Sequence, residues 1–219
     1  MLRIASLIVL ALASAAATVA GPAGADVVAG NVTFIDRNYG PIAFAEAQWE
    51  TRTASTVTDA FVLTAKTHRD NTTHVFVELR TTYLDANGQP TGGVDLSGGA
   101  AGVQQTFDEH NLTNASVDAT VPATSCTLDA DGNPTSCADG GTLSASAVWT
   151  GQGPISRTNY EDHFHVPASF VFIDRANGPI RLASATATIG GEAFDASSQQ
   201  VADMGVNVQL VALICPHGC

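Results

Sequence analysis

The feature that most constrains this chain is alternation. Beyond the first 25 residues, apolar and polar side chains trade places at every second position, and no stretch carries the stripe of an amphipathic helix. In Ala45-Glu46-Ala47-Gln48-Trp49-Glu50 the small and aromatic side chains fall on one face and the polar ones on the other. Phe61, Leu63 and Ala65 alternate with Val62, Thr64 and Lys66, and Val75, Val77, Leu79 and Tyr83 lie opposite His74, Glu78 and Arg80. Val117, Ala119 and Val121 repeat the pattern, as do Val206, Val208, Leu210, Ala212 and Ile214. Such runs are half-buried antiparallel strands. Several in series predict an all-β chain, an antiparallel β-sandwich of jelly-roll or Ig-like type.

Turn chemistry separates these runs. Leu84-Asp85-Ala86-Asn87-Gly88-Gln89-Pro90-Thr91 closely matches the segment from Leu128 to Thr135, and both put Asn-Gly or Asp-Gly where a hairpin needs positive φ. A two-residue turn at Asp131-Gly132 sets Cys126 directly opposite Cys137, and opposed strand residues lie within the reach of a disulfide. The remaining cysteines, Cys215 and Cys219, flank Pro216-His217-Gly218 and are expected to form a small terminal disulfide. A Cys-His-Cys metal clip is the alternative there.

The N-terminus explains why disulfides are expected. Arg3 is a positive start, Ile4 to Val19 is an uncharged apolar run, and Ala23-Gly24-Ala25 is a cleavage site. Residues 1–25 therefore read as a signal peptide, and residues 26–219 as a single secreted, extracellular domain. The apolar run is short for a membrane helix, so no stable membrane insertion is expected after cleavage. Net charge is −12 with pI near 4.6 and one lysine, Lys66. That balance argues against nucleic acid and anionic membranes as partners. Lys66 has no flanking glycine, which excludes a phosphate-gripping loop.

An internal repeat runs through the domain. Phe34-Ile35-Asp36-Arg37, Gly40-Pro41-Ile42, Ala45 and Ala47 recur as Phe172-Ile173-Asp174-Arg175, Gly178-Pro179-Ile180, Ala183 and Ala185, at identical spacing. A partial echo places Ala145, Ala147 and Trp149 against Ala45, Ala47 and Trp49. These copies read as equivalent hairpins with Gly-Pro turns, or as two merged pseudo-repeats with a boundary near 126–140. Asp36-Arg37 and Asp174-Arg175 read as turn-flanking ion pairs.

Candidate chemistry is sparse. Val62 to His68 and Asp95-Leu96-Ser97-Gly98-Gly99 are similar to the histidine and nucleophile motifs of chymotrypsin-like proteases. Their histidine is displaced by one residue, a leucine is inserted before the serine, and the two fragments lie too close along the chain. Glu46 and Glu50 are roughly 13 Å apart along a strand, too far for a glycosidase dyad of about 5 to 9.5 Å, although either could pair with a carboxylate on another strand. A solvated strand face explains them. Trp49 and Trp149 fall on faces that should be buried, so they make no sugar platform.

The strongest constellation is Glu161-Asp162-His163-Phe164-His165-Val166. Two histidines at i and i+2 of a strand are about 6.7 Å apart and can converge on zinc or copper. The third ligand would be His68, His74, His110 or Asp108. The strand is similar to the His-x-His strand of Cu,Zn superoxide dismutase, but Val166-Pro167 replace the residues that follow it in that family. Asp129-Ala130-Asp131-Gly132-Asn133 groups oxygen side chains that suit calcium, without the Glu that completes an EF-hand loop. The sequons at Asn31, Asn71, Asn111 and Asn114 carry meaning only in a eukaryote.

Trp149-Thr150-Gly151-Gln152-Gly153-Pro154 and the Ala-x-Ala strands of residues 143–190 resemble uncharacterised secreted β-sandwich proteins of high-GC bacteria. The resemblance implies export and fold, and no activity. The expected function is an exported, non-enzymatic protein with no cofactor and a binding or structural role toward an extracellular protein or glycan. The alternatives are a metal protein centred on His163 and His165, and an extracellular hydrolase with dispersed carboxylates.

Overall fold

The computed structural model describes residues 32–36, 41–68, 71–166 and 170–215, with side chains within 42–68, 71–157, 159 and 177–206. The leader at 1–25 and Cys219 lie outside the described residues, and Cys215 is described by its backbone only. All regular structure is β. The strands are β1 (Val32–Asp36), β2 (Pro41–Arg52), β3 (Thr56–Thr67), β4 (Thr73–Leu84), β5 (Pro90–Ala101) and β6 (Gln105–Phe107). They continue as β7 (Asn114–Leu128), β8 (Pro134–Gly151), β9 (Ser156–Val166), β10 (Phe170–Ile189), β11 (Glu192–Phe194) and β12 (Gln199–Cys215).

These twelve strands form one antiparallel sheet rather than two. Its path is β12-β2-β3-β4-β5-β7-β8-β10, and a β10–β12 pairing returns it to its start, so the hydrogen bonding closes in a ring. Most neighbours in the ring are also neighbours along the chain. The closing joint is β2–β12, which pairs Trp49 with Gln199 at one end and Pro41 with Val208 at the other.

Two edges of this ring are built from interrupted strands. β8 and β9 follow one another along one edge of β10, which pairs with β9 over 170–180 and with β8 over 183–189. The break at 152–155 contains Gly153-Pro154, and Arg181 Nε donates to the Gly153 carbonyl at 2.9 Å. β1 and β2 follow one another in the same way along β12. Consequently the two repeat copies flank β12. Phe34 and Phe172 both stand opposite Leu213, Ile35 and Ile173 opposite Ala212, and Asp36 and Asp174 opposite Val211. The copies are not hairpins. Gly178-Pro179 lies inside β10, opposite Thr158 and Arg157 of β9, rather than at a turn. Proline has no N–H to donate, and the pairings of β10 with β12 skip from Asn177 to Ile180.

The alternation resolves into an apolar interior. Trp49, Trp149, Val62, Val77, Val121, Leu143 and Ile189 are fully buried in one cluster with many alanines, among them Ala45, Ala47, Ala145, Ala147 and Ala185. Alanine lets opposite walls approach, and the two indoles fill the space between them. Trp149 Nε1 on β8 donates to the Glu46 carbonyl on β2 at 2.9 Å, a strand three places away around the ring. Trp49 Nε1 reaches the Ala185 carbonyl on β10 at 3.4 Å. On β7 and β8 the outward residues Asp118, Thr120, Ser144 and Ser146 are polar, and most of them are exposed, so this wall meets water.

The hairpin of β7 and β8 carries the predicted disulfide. Cys126 and Cys137 pair in register and are bonded, with Cα atoms 4.1 Å apart. The turn is larger than the two residues expected. Asp129 N–H donates to the Asn133 carbonyl at 3.0 Å, and Asp129 Oδ1 accepts from the N–H groups of Asp131 and Asn133 at 3.0 and 2.8 Å. Gly132, at φ 81°, completes the loop. The β4–β5 turn repeats it: Asp85 Oδ1 accepts from Asn87 and Gln89, and Gly88 has φ 76°. The carboxylate takes backbone donors that a two-residue turn would not offer it.

Strands β5 and β7 approach closely at a glycine. A β-carbon on Gly98 would overlap the Pro122 carbonyl oxygen of β7, so only glycine allows that approach. Gly98→Ala should cost about 2 kcal/mol by overpacking, and so lower the Tm by roughly 4–8 °C. Calorimetry that finds the variant as stable as the parent would refute the close approach.

Candidate functional site

The chemistry-bearing residues collect on the outer face of β12, β2, β3, β4 and β5. Glu46 on β2 stands opposite Asp203 on β12 and Leu63 on β3. Toward one end of the ring from Glu46 this outer face is apolar and covered: Ile42, Phe44, Leu63 and Ala65 are buried, with Phe61, Phe76 and Ile180 packed against them. Glu46 shares that burial, with 3% of its surface exposed. Its Oε2 and the Oδ1 of Asp203 are buried with no hydrogen-bond partner. Burial, and then the neighbouring Asp203, push the Glu46 carboxyl up to about 8; burial pushes Asp203 up to about 6.

The expected solvated face is therefore corrected at Glu46, while Glu50 is exposed and stands opposite Asp59 of β3. Each glutamate meets a carboxylate on another strand instead of the other glutamate. Glu46 and Asp203 are register partners, close enough to interact, but they are sealed from a sugar. The pair can hold a proton. Sequence reading missed Asp203 altogether. The available signal was Ile42-Ala43-Phe44-Ala45, apolar at both parities, which marks a strand covered on both faces.

The Glu50–Asp59 row continues through Arg80 on β4 and Asp95 on β5 to Cys126 and Cys137. Glu78 lies two residues before Arg80. Burial raises the pKa of Asp59, Glu78 and Asp95, and the Arg80 charge lowers each. Arg80 Nη2 also donates to the Gly132 carbonyl at 3.2 Å. Above it, the β7–β8 turn and the start of β5 border an open cleft of about 160 Å³, lined by Arg80, Thr82, Pro90, Leu128, Asp129 and Asp131 among others.

The calcium reading centred on that turn, where Asp129 is held below its ordinary pKa first by the Asn133 N–H. Its lone pairs are turned to the loop backbone. Among the described residues, no group of three or more His, Cys, Asp or Glu side chains could hold a metal ion. His163 and His165 are both in β9, opposite Ile173 and Val171 of β10. The proposed third ligands lie outside β9 along the chain. His68 Nε2 meets Glu109 at 2.7 Å, beside Lys66 Nζ at 3.4 Å. Asp108 accepts from the Thr113 hydroxyl and the Asn111 N–H, which hold its carboxyl down to about 2. His74 is opposite Ala65 and Ala101. The protease-like fragments also part company, since Ser97 stands opposite Glu78 and Thr124 on its two neighbouring strands.

Compared with protein-family models, curated proteins and solved structures, the chain matches none.

Arg80 is the cation between Asp59 and Asp95, and its loss should matter most where the carboxylates are ionised. Because their folded pKa values are raised, their protonated forms favour the folded state at low pH, and that benefit is lost as pH rises. Arg80→Met removes the charge that limits this loss. The variant should cost about 1–3 kcal/mol at pH 7, less at pH 4 and more at pH 8, read from urea midpoints. An equal loss at pH 4 and pH 8 would assign Arg80 to packing alone.

Proposed function

We propose that this is an exported, non-enzymatic β protein with a binding or structural role outside the cytoplasm, acting toward an extracellular protein or glycan. The observation that carries the reading is the filled interior: two indoles and a bed of alanines occupy the space where a ring of this kind would hold a ligand. Recognition then falls to the outer surface, where the strands are rigidly joined and cross-linked at Cys126–Cys137. A leader and a disulfide support export. The Trp149–Glu46 bond supports a flattened, sandwich-like ring, and the next-neighbour strand order favours an up-and-down course over a jelly-roll or Ig-like one.

Two assays on the purified chain test this. In cosedimentation with insoluble envelope glycans and with extracellular protein fractions, it should be retained by one class and released by soluble competitor of that class. Chromogenic ester, peptide and glycoside substrates should remain uncleaved. Turnover that copurifies with the chain and disappears in Glu50→Gln would replace this reading with the dispersed-carboxylate hydrolase.

A second reading, zinc or copper binding at His163 and His165, is favoured by one observation: β9 is a regular strand through both residues. After EDTA treatment, a hundredfold excess of metal over Kd should add about 2.7 kcal/mol, a Tm rise of several degrees, absent in His163→Ala. No shift with zinc, copper or calcium removes the metal readings.

A further inference from the structure

The joint between β2 and β12 closes the ring, and it is the one place where the described residues set two unpartnered buried acids side by side. Glu46 and Asp203 are register partners there, and Glu46 Oε2 and Asp203 Oδ1 are both shut away from water with nothing to bond to. No cation faces them among the described residues. On β3 the opposite residue is Leu63, and on β10 the residue opposite Asp203 is Leu182. Along β2 the same face continues with Gln48 and Glu50, and along β12 with Val201 and Gly205. Lys66 is engaged by Glu109, and Arg181 by the carbonyls of Gly153 and Asn111. Arg80 lies one strand beyond β3, in the row of Asp59 and Asp95.

Two carboxylates in such a site cannot both be ionised without large cost. We propose that the β2–β12 joint is a proton-dependent clasp, held shut while Glu46 is a neutral acid and loosened when it ionises. The device makes the ring firmest in mild acid. Both groups have raised pKa values in the folded chain, so the folded state binds more protons than the unfolded one between pH 4 and 8. The stabilisation is complete below about pH 4 and is lost as pH climbs through about 8. Each extra proton makes the folding equilibrium constant fall about tenfold per pH unit. Trp149, whose indole N–H bonds the backbone carbonyl of Glu46 itself, reports on the same joint.

The test combines urea midpoints of the full chain from pH 5 to pH 9 with hydrogen exchange in the absence of denaturant. Between pH 6 and 8 the folding constant of the parent should fall about a hundredfold, and Trp emission should shift to the red. Glu46→Gln should flatten both responses. Asp203→Asn, which keeps Glu46 but removes its charged neighbour, should move the fall to lower pH and serves should Glu46→Gln not fold. Exchange should quicken first at residues 43–48 and 202–206 relative to the β7–β8 hairpin, after correction for intrinsic pH dependence. A Glu46→Gln profile as steep as the parent's would overturn the proposal. So would uniform acceleration across the ring, or rescue of the parent at pH 9 by added magnesium or calcium, which would make a cation rather than a proton the neutralising partner.

Discussion

The structure depends on one pairing, the joint that brings β12 back to β2. Without it the chain is a meander with two long bare edges, each a row of unpaired N–H and C=O groups that invites other chains. With it the edges of β2 and β12 meet, and the inward faces enclose a core. The joint links the second strand to the last, so with the β1–β12 pairing it carries the largest loop-closure cost in the sheet. The buried state of Trp49 and the reach of Trp149 to the Glu46 carbonyl follow from that closure.

What alternation can express, the sequence expresses well. The strands lie where period two puts them, Trp49 and Trp149 are inside, and the matched turns carry glycine at positive φ. Cys126 and Cys137 pair because a hairpin's register is a local property, settled within a few residues of the turn. Ring closure was not legible, because nothing in a strand's own pattern states which distant strand it will meet. The pairing of Glu46 with Asp203 has the same origin. The Gly-Pro expectation failed for a different reason. Proline forbids only the hydrogen bond it would donate, so a strand can carry it where one neighbour's ladder lapses, as at 178–179 on the β12 side.

The repeat is explained by this arrangement without a ligand. A strand inside an antiparallel sheet offers its two edges to two neighbours, and each neighbour meets the same side chains at the same heights. β12 offers Val211, Ala212 and Leu213 to both. The sequence Phe-Ile-Asp stands at the same register positions on either side of β12. The copies diverge after that point, because the register with β12 shifts between β1 and β2 while β10 holds one register, and the offset moves their later alanines to different partners.

The same geometry places the charges of an acidic chain. With 21 acidic and 9 basic side chains, many carboxylates cannot find a cation, and their fate is set by where the sheet puts them. In the turns, Asp85, Asp129 and Asp195 meet backbone N–H groups that favour the ionised form. Around Arg80 three carboxylates share one guanidinium. At the closing joint there is neither a donor nor a cation, only burial and another acid. The alanine-rich interior beneath that joint removes less apolar surface per residue than larger side chains would, so it has less to set against the cost of those two acids. Electrostatically, the joint on which closure depends is thus the least supported part of the outer face.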